Sequence, residues 1–206
     1  MKEKQLPKDP YNIVITGVGG QGNVMAARLL ADMLVRKGYR VTIGETFGAS
    51  QRGGSVMSHI RISAESAWSP QISKGRADVI AALEPVEAIR VLMRYGNPGV
   101  KVLTNTRPIY PVSVIAGELD YPSPEEIRTT IGELSAHAWF IDATDEAIKL
   151  GNHILGNIVM IGALAGTGEL PIAREDFREV ITNSLPADKV DVNIRAFDLG
   201  VTKVKQ

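Results

Sequence analysis

A glycine cluster set between a β-branched run and a helical pattern constrains this chain more than any other feature. Asn12-Ile-Val-Ile-Thr16 is a short apolar run, and Gly17-Val-Gly19-Gly-Gln-Gly22 follows it at once. Beyond the glycines, Val24, Ala27, Leu30, Ala31 and Leu34 return at the three-and-four spacing of one helix face. Strand, tight turn and helix over 24–37 is the resulting expectation. Gly38 is a natural helix stop, and residues 40–44 supply a second strand that completes a βαβ unit. Such an opening predicts an α/β fold, Rossmann-like and doubly wound, with a mostly parallel sheet, helices on both faces and a helical C-terminal tail.

The rest of the chain keeps the alternation. Residues 55–62 place Val56, Ser58, Ile60 and Ile62 on one face and Ser55, Met57, His59 and Arg61 on the other, a strand that follows the second through a turn at Gly53-Gly54. Residues 78–83 read as a buried strand. Pro85 opens a helix that runs through Tyr95 and ends near Gly96 and Pro98. Strands are expected at 100–104, 112–117 and 138–142, and Ser123-Pro-Glu-Glu126 is a capped helix start. Helical patterns follow at 144–150, 157–165, 174–184 and 188–199, punctuated by Pro171 and Pro186. No repeat or linker divides the chain, so one domain over 1–206 is expected, with a polar leader at 1–10.

Composition excludes several function classes. Lys plus Arg and Asp plus Glu are both 23, which removes the overall positive field that non-specific nucleic-acid binding needs. Cysteine is absent, so no disulfide, thiolate metal site, cysteine nucleophile or cysteine-held iron–sulfur cluster can form from this chain. Any redox cluster must belong to a partner. The lysine-bearing leader lacks an apolar core, and the most apolar run, 154–165, is broken by Gly156, Asn157 and Gly162 and falls short of the ~20 residues a bilayer span needs. A cytoplasmic protein without nucleic-acid or membrane partners is the expectation.

The glycine loop supports two readings. Gly17-Val-Gly19-Gly-Gln-Gly22 satisfies G-x-G-x-x-G between strand and helix, and Glu45 ends the second strand where a ribose-binding acid would stand. In the first reading the loop holds NAD, NADP or a flavin at a helix N-terminus, as in a free-standing oxidoreductase. In the second the glycines only let strand and helix pack closely. A Walker A loop is excluded, because no Lys-Ser or Lys-Thr follows.

A longer pattern adds to this. Glu45-Thr-Phe-Gly-Ala-Ser-Gln-Arg-Gly-Gly-Ser-Val-Met-Ser-His-Ile-Arg61, taken with Gly19-Gly-Gln-Gly22, resembles the gamma-type domain of the 2-oxoacid:ferredoxin oxidoreductases, on the branch that handles indolepyruvate. Further matches are Ala77-Asp-Val-Ile-Ala-Ala-Leu-Glu-Pro-Val-Glu-Ala88, Thr104-Asn-Thr106, Tyr121-Pro122 and Gly156-Asn-Ile-Val-Met-Ile-Gly-Ala163, with Asn193 and Ala196-Phe197 near the end. The resemblance covers nearly the whole chain. It implies an accessory subunit, inactive alone, of a complex that converts an arylpyruvate and coenzyme A to acyl-CoA, carbon dioxide and reduced ferredoxin. Thiamine diphosphate, magnesium and 4Fe–4S clusters would then sit on a larger partner subunit, since the Gly-Asp-Gly signature of a thiamine site is missing here.

The binding residues expected on this reading are Gly17, Gly19, Gly20, Gln21 and Gly22 together with Gln51, Arg52, Gly53 and Gly54. Arg52 presents a planar guanidinium beside flexible backbone, suited to phosphate or carboxylate. Its partner is either an anionic group of coenzyme A or of the larger subunit's cofactor, or else Glu45 or a carboxylate of that subunit. His59, His137 and His153 show no metal-ligand spacing, and His59 reads as a surface residue. Asp142 and Asp145 read as a helix-start cluster, and Glu84 before Pro85 does likewise. The run 157–165 is apolar all round and must be covered, either by this chain's core or by a subunit interface that would make the lone chain self-associate.

Overall fold

The computed structural model describes residues 6–48 and 54–205. In chain order these form β1 (Tyr11–Val18), α1 (Asn23–Arg36), β2 (Arg40–Phe47), β3 (Ser55–Ser63), β4 (Val79–Ala82), α2 (Pro85–Tyr95), β5 (Lys101–Asn105), α3 (Val112–Ile115), α4 (Pro124–Leu134), β6 (His137–Ile141), α5 (Ala143–Lys149), a 3-10 turn (His153–Leu155), α6 (Gly156–Thr167), α7 (Arg174–Ser184) and α8 (Ala187–Lys203). The six strands make one sheet in the order β2-β3-β1-β4-β5-β6. β1, β4, β5 and β6 are parallel neighbours, whereas β3 runs antiparallel to both β1 and β2. Five strands therefore share one direction, and the mostly parallel sheet expected from the sequence is present.

Two apolar layers hold it. Ile13, Ile15, Ile60, Ile62, Val79, Ala81 and Leu103 face α1, α5, α6, α7 and α8, while Val14, Ile80 and Val102 face α2 and α4. Alternate strand residues point to opposite faces, so each strand feeds both cores. The caps behave as their residue types dictate: Glu84 accepts the Glu87 amide at the head of α2, and Ser123 with Glu126 forms a capping box on α4.

Three expectations need correction. Residues 112–117 are not a strand: Val112–Ile115 is a short helix behind Pro111, whose backbone groups pair locally, the Ile115 amide with the Pro111 carbonyl at 3.0 Å and the Ala116 amide with that of Val112 at 2.8 Å, instead of with the sheet. The βαβ unit is not a pair of neighbouring strands. β3 inserts between β1 and β2, eight residues in register with each. His59 is not at the surface; it is 1% exposed on β3, between β2 and β1, with its ring edge to face with that of Tyr95.

The apolar run at 157–165 becomes α6, and this chain itself buries it. A Cβ at Gly162 would lie 2.0 Å from the Phe197 carbonyl oxygen, and one at Gly200 would lie 1.9 Å from that of Val159. Glycine at both crossings lets α6 and α8 meet backbone to backbone. Among the described residues, no helix is long and apolar enough to cross a membrane.

Candidate functional site

The sheet order creates a crevice. From β1 the chain leaves through α1 toward β2, whereas from β4 it leaves through α2 on the opposite face, so the carboxyl ends of β1 and β4 diverge. A cleft of about 700 Å³ opens there, floored by Gly19, Gly20, Gln21, Leu83 and Asn105 and walled by Thr144, His153, Gly156 and Asn157. Arg107, in an ion pair of 2.7 Å with Asp145, and the half-exposed Ile148 and Ile154 edge its mouth.

The glycine loop is braced from within. Gln21 accepts the Val18 amide at 2.8 Å through Oε1 and donates to the Leu83 carbonyl at 2.7 Å through Nε2, tying the β1 end to the β4 end. The Gly19 amide donates to the Gly54 carbonyl at 2.8 Å, and that of Gln21 to Val18. Gly22, with φ near 82°, forms the N-cap of α1 and offers no side chain to the helix end. Its carbonyl takes a hydrogen bond from Asn157 Nδ2 at 3.3 Å, which brings α6 against the loop. Asn157 is buried, and its Oδ1, like that of Asn23, has no partner among the described residues.

Asn105 joins the other side of the floor. Its Nδ2 donates to the Leu83 carbonyl at 3.1 Å and to Thr144 Oγ1 at 2.9 Å, and its Oδ1 accepts the Thr144 amide. One side chain thus fixes the β4 end, the β5 end and the start of α5.

Beside the cleft lies a buried acid. Glu84 accepts hydrogen bonds from the Glu87 amide, from the Ile109 amide and, very closely, from the Tyr121 hydroxyl. Burial pushes the Glu84 carboxyl above the usual carboxylate range, against the pull of those donors. Burial and the neighbouring Glu84 also push the Tyr121 phenol far up. Glu87 takes the Ser55 hydroxyl at 2.6 Å, so β3 is anchored to α2 at the same end of the sheet.

Of the residues expected to bind, Gly17, Gly19, Gly20, Gln21 and Gly22 form the loop, and the bond from Gly19 brings Gly54 to it. Among those described, only Gly19, Gly20 and Gln21 face the cleft. Gln51, Arg52 and Gly53 lie outside the described residues. Glu45 does not meet the loop in the way a ribose-binding acid would. In a dinucleotide fold the second strand adjoins the first, but here β3 intervenes, leaving Glu45 two strand spacings, roughly 10 Å, from β1. Asp142 and Asp145 do stand at a helix start, that of α5, with Asp142 also 3.2 Å from Lys203. Among the described residues no three His, Asp or Glu side chains gather as a metal site.

Asn105, Thr144 and Asn157 were not singled out as site residues from the sequence. They lie far apart along the chain and meet only because parallel strands end at one edge. The signal available was positional: Asn105 closes an apolar strand, and Asn157 is a lone amide in an apolar helix.

These features define an α/β protein with a cleft at the point where its sheet reverses winding. The chain belongs to the pyruvate ferredoxin/flavodoxin oxidoreductase family, whose pattern it matches over residues 12–203. It is 46% identical over 197 residues to the indolepyruvate oxidoreductase subunit IorB of Pyrococcus horikoshii, covering 95% of this chain and 96% of the relative. It is 38% identical over 189 residues to the IorB subunit of Archaeoglobus fulgidus, covering 92% of each. Among solved structures, pyruvate oxidoreductase subunit PORC from Thermotoga maritima matches with a TM-score of 0.73 at 22% identity, over 95% of this chain and 97% of that one. The 2-oxoglutarate:ferredoxin oxidoreductase of Magnetococcus marinus matches with a TM-score of 0.74 at 23% identity, over 96% of this chain but 31% of its own longer one. These two share the fold.

Proposed function

We propose that this chain is the accessory gamma-type subunit of an indolepyruvate:ferredoxin oxidoreductase, a cytoplasmic complex in which a 2-oxoacid and coenzyme A yield acyl-CoA and carbon dioxide while two electrons leave through ferredoxin. The observation that carries this reading is the 46% identity to an indolepyruvate oxidoreductase subunit along almost the full length of both chains. The larger subunit would hold thiamine diphosphate, magnesium and the 4Fe–4S clusters. The residues here do not fit those groups, since the sequence has no cysteine and the described acids and histidines do not cluster. No step of the reaction is therefore assigned to them on this chain.

What this chain offers is the cleft. The Gly20 amide has no acceptor among the described residues, and the α1 N-terminus, without a side-chain cap or an acid in its first turn, favours an anion. Gly17, Gly19, Gly20, Gln21 and Gly22, together with Gln51, Arg52, Gly53 and Gly54, are proposed to meet an anionic group of coenzyme A at the edge of the partner's active centre. The displaced Glu45 weighs against NAD, NADP or a flavin in that place.

Co-expression with the larger subunit encoded in the same genome, followed by dye reduction dependent on indolepyruvate and coenzyme A, tests the reading. Activity is expected from the pair and from neither chain alone. Turnover or tight nicotinamide binding by the lone chain would overturn it. In the active pair, Arg52→Ala should raise KM for coenzyme A or lower turnover by about 10-fold, equivalent to about 1.4 kcal/mol. Wild-type kinetics would remove Arg52 from the site.

A further inference from the structure

The segment between β5 and α4 turns its apolar side chains outward. None of the residues of α3 is buried, and Val112, Ile115 and Leu119 are 82%, 73% and 63% exposed, flanked by the part-exposed Ile109 and Tyr110. Taking roughly 180 Å² for a large apolar residue in full exposure, these five residues together expose about 550 Å², a large share of the ~800 Å² that one side of a stable interface buries. Isolated exposed leucines need no explanation; five such residues within eleven positions do.

A pocket adjoins them. Tyr110 and Tyr121, edge to face at 5.0 Å, close a hollow of about 90 Å³ with Pro85, Pro108, Pro122 and Phe140, whose ring carries the Arg128 guanidinium at 4.5 Å. It is much smaller than the 300 Å³ or more of a small-molecule site and suits one apolar side chain. The pocket is rigid, because Tyr121 is held by Glu84 and the other walls include prolines with fixed backbones.

Charge selects the occupant. Between Arg107, paired with Asp145, and Arg128, at the pocket wall over Phe140, the chain has no lysine or arginine, while Glu118, Asp120, Glu125 and Glu126 are all exposed, so acid outnumbers base on this face. Glu118, Asp120 and Glu125 have no ion pair among the described residues. A second copy of this chain would bring two acidic rims together, which disfavours self-association on this face.

We propose that this surface docks the larger subunit of the same oxidoreductase through an apolar knob rimmed by lysine or arginine, seated between Tyr110, Tyr121 and Phe140. The inference rests on the function proposed above. It agrees with the longer chain of the 2-oxoglutarate enzyme, in which the matching fold unit is covalently joined to further protein. The surface also lies at the sheet end that carries the cleft, since Pro108 and Ile109 line both regions' shared boundary. Docking there would place the partner over the cleft mouth.

The test measures binding of the full chain to the purified larger subunit at low and high salt, with circular dichroism and Tm confirming the fold of each variant. Wild type should bind, and more weakly in high salt. The double variant Val112→Glu/Ile115→Glu, altered only at exposed positions, should bind roughly 100-fold more weakly with its Tm unchanged, as expected for loss of interface anchors. Glu118→Lys/Asp120→Lys should slow association and flatten the salt dependence. Binding by both variants equal to wild type overturns the docking surface and leaves the proposed function standing. No binding by wild type overturns both. Self-association of the lone chain, abolished in Val112→Glu/Ile115→Glu while larger-subunit binding persists, would reassign the face to a second copy and overturn the proposal.

Discussion

Replacing Gly200 by alanine adds one methyl group at the tightest crossing of the molecule. The new Cβ would stand 1.9 Å from the Val159 carbonyl oxygen and 2.6 Å from the Ala163 nitrogen, while carbon contacts normally settle at ~3.5 Å or more. Both obstacles are main chain, so no rotamer change relieves them and α8 must withdraw from α6 by more than an ångström. That shift loosens the stack of Phe197 on Phe177, whose ring centroids are 4.4 Å apart. Overpacking of this kind costs about 1–3 kcal/mol and sometimes more, and the rigid obstacles place it at the upper end. Alanine returns up to ~1 kcal/mol of helix propensity, which leaves a net loss of about 2 kcal/mol. For a chain of this length the loss lowers Tm by roughly 4–8 °C. Gly132→Ala is the matching control. Gly132 sits exposed within α4, and its Cβ would meet nothing within 4 Å, so the same substitution should stabilise by up to ~1 kcal/mol. Urea and thermal unfolding of the two variants read opposite signs from one chemical change. A Gly200→Ala loss within about 0.5 kcal/mol of zero, or a destabilised Gly132→Ala, would refute the account of the crossing.

Two titrating groups give further predictions. Tyr121→Phe removes the hydroxyl from the buried Glu84 carboxylate and should cost about 1–3 kcal/mol near neutral pH. Because Glu84 titrates above the usual range in the fold, the deficit should shrink as pH falls through that raised value and the carboxyl takes a proton; an equal deficit at all pH values in urea unfolding would dismiss the reading. His59 accepts the Ile72 amide at Nδ1, and burial followed by the charge of Arg94 lowers its pKa, so the folded protein resists protonation there. The unfolded chain takes up that proton near its ordinary pKa of about 6.5, so this share of stability is complete above that value and declines as pH drops below it. His59→Asn, which keeps an acceptor for Ile72, should flatten the decline in urea midpoint between about pH 7 and 5; parallel curves for both proteins would exclude His59 as its source.

Much of the fold could be read locally because capping and periodicity are local. Pro85 and Tyr95 bound α2 as its residue types suggest, and Arg174 and Ser184 bound α7 where the helical spacing placed them. What the residues did not disclose was neighbourhood. Ser55 to Ser63 has the alternation of any half-buried strand, and nothing in it says that it inserts between β1 and β2; that position follows from register with Tyr11–Val18 on one side and Arg40–Phe47 on the other. The same insertion buried His59, whose place beside Arg61 on the less apolar strand face suggested solvent. Val112-Ser-Val-Ile115 has strand-like residues, yet its amides bond within the segment, Ile115 to Pro111 and Ala116 to Val112. The glycine loop was visible in sequence, whereas Asn105, Thr144 and Asn157 became site residues only through the convergence of strand ends.

The bracing of residues 17–22 bears on the thermodynamics of recognition. Gln21, Asn157 and the Gly54 carbonyl hold the turn in shape through bonds internal to the protein. The anionic group proposed to bind there would find its seat already formed, so its association should involve little ordering entropy and no slow rearrangement of the loop. Selectivity among guests then falls to the rim around Arg107, Ile109 and Ile154, where the side chains remain free to differ without disturbing the turn beneath.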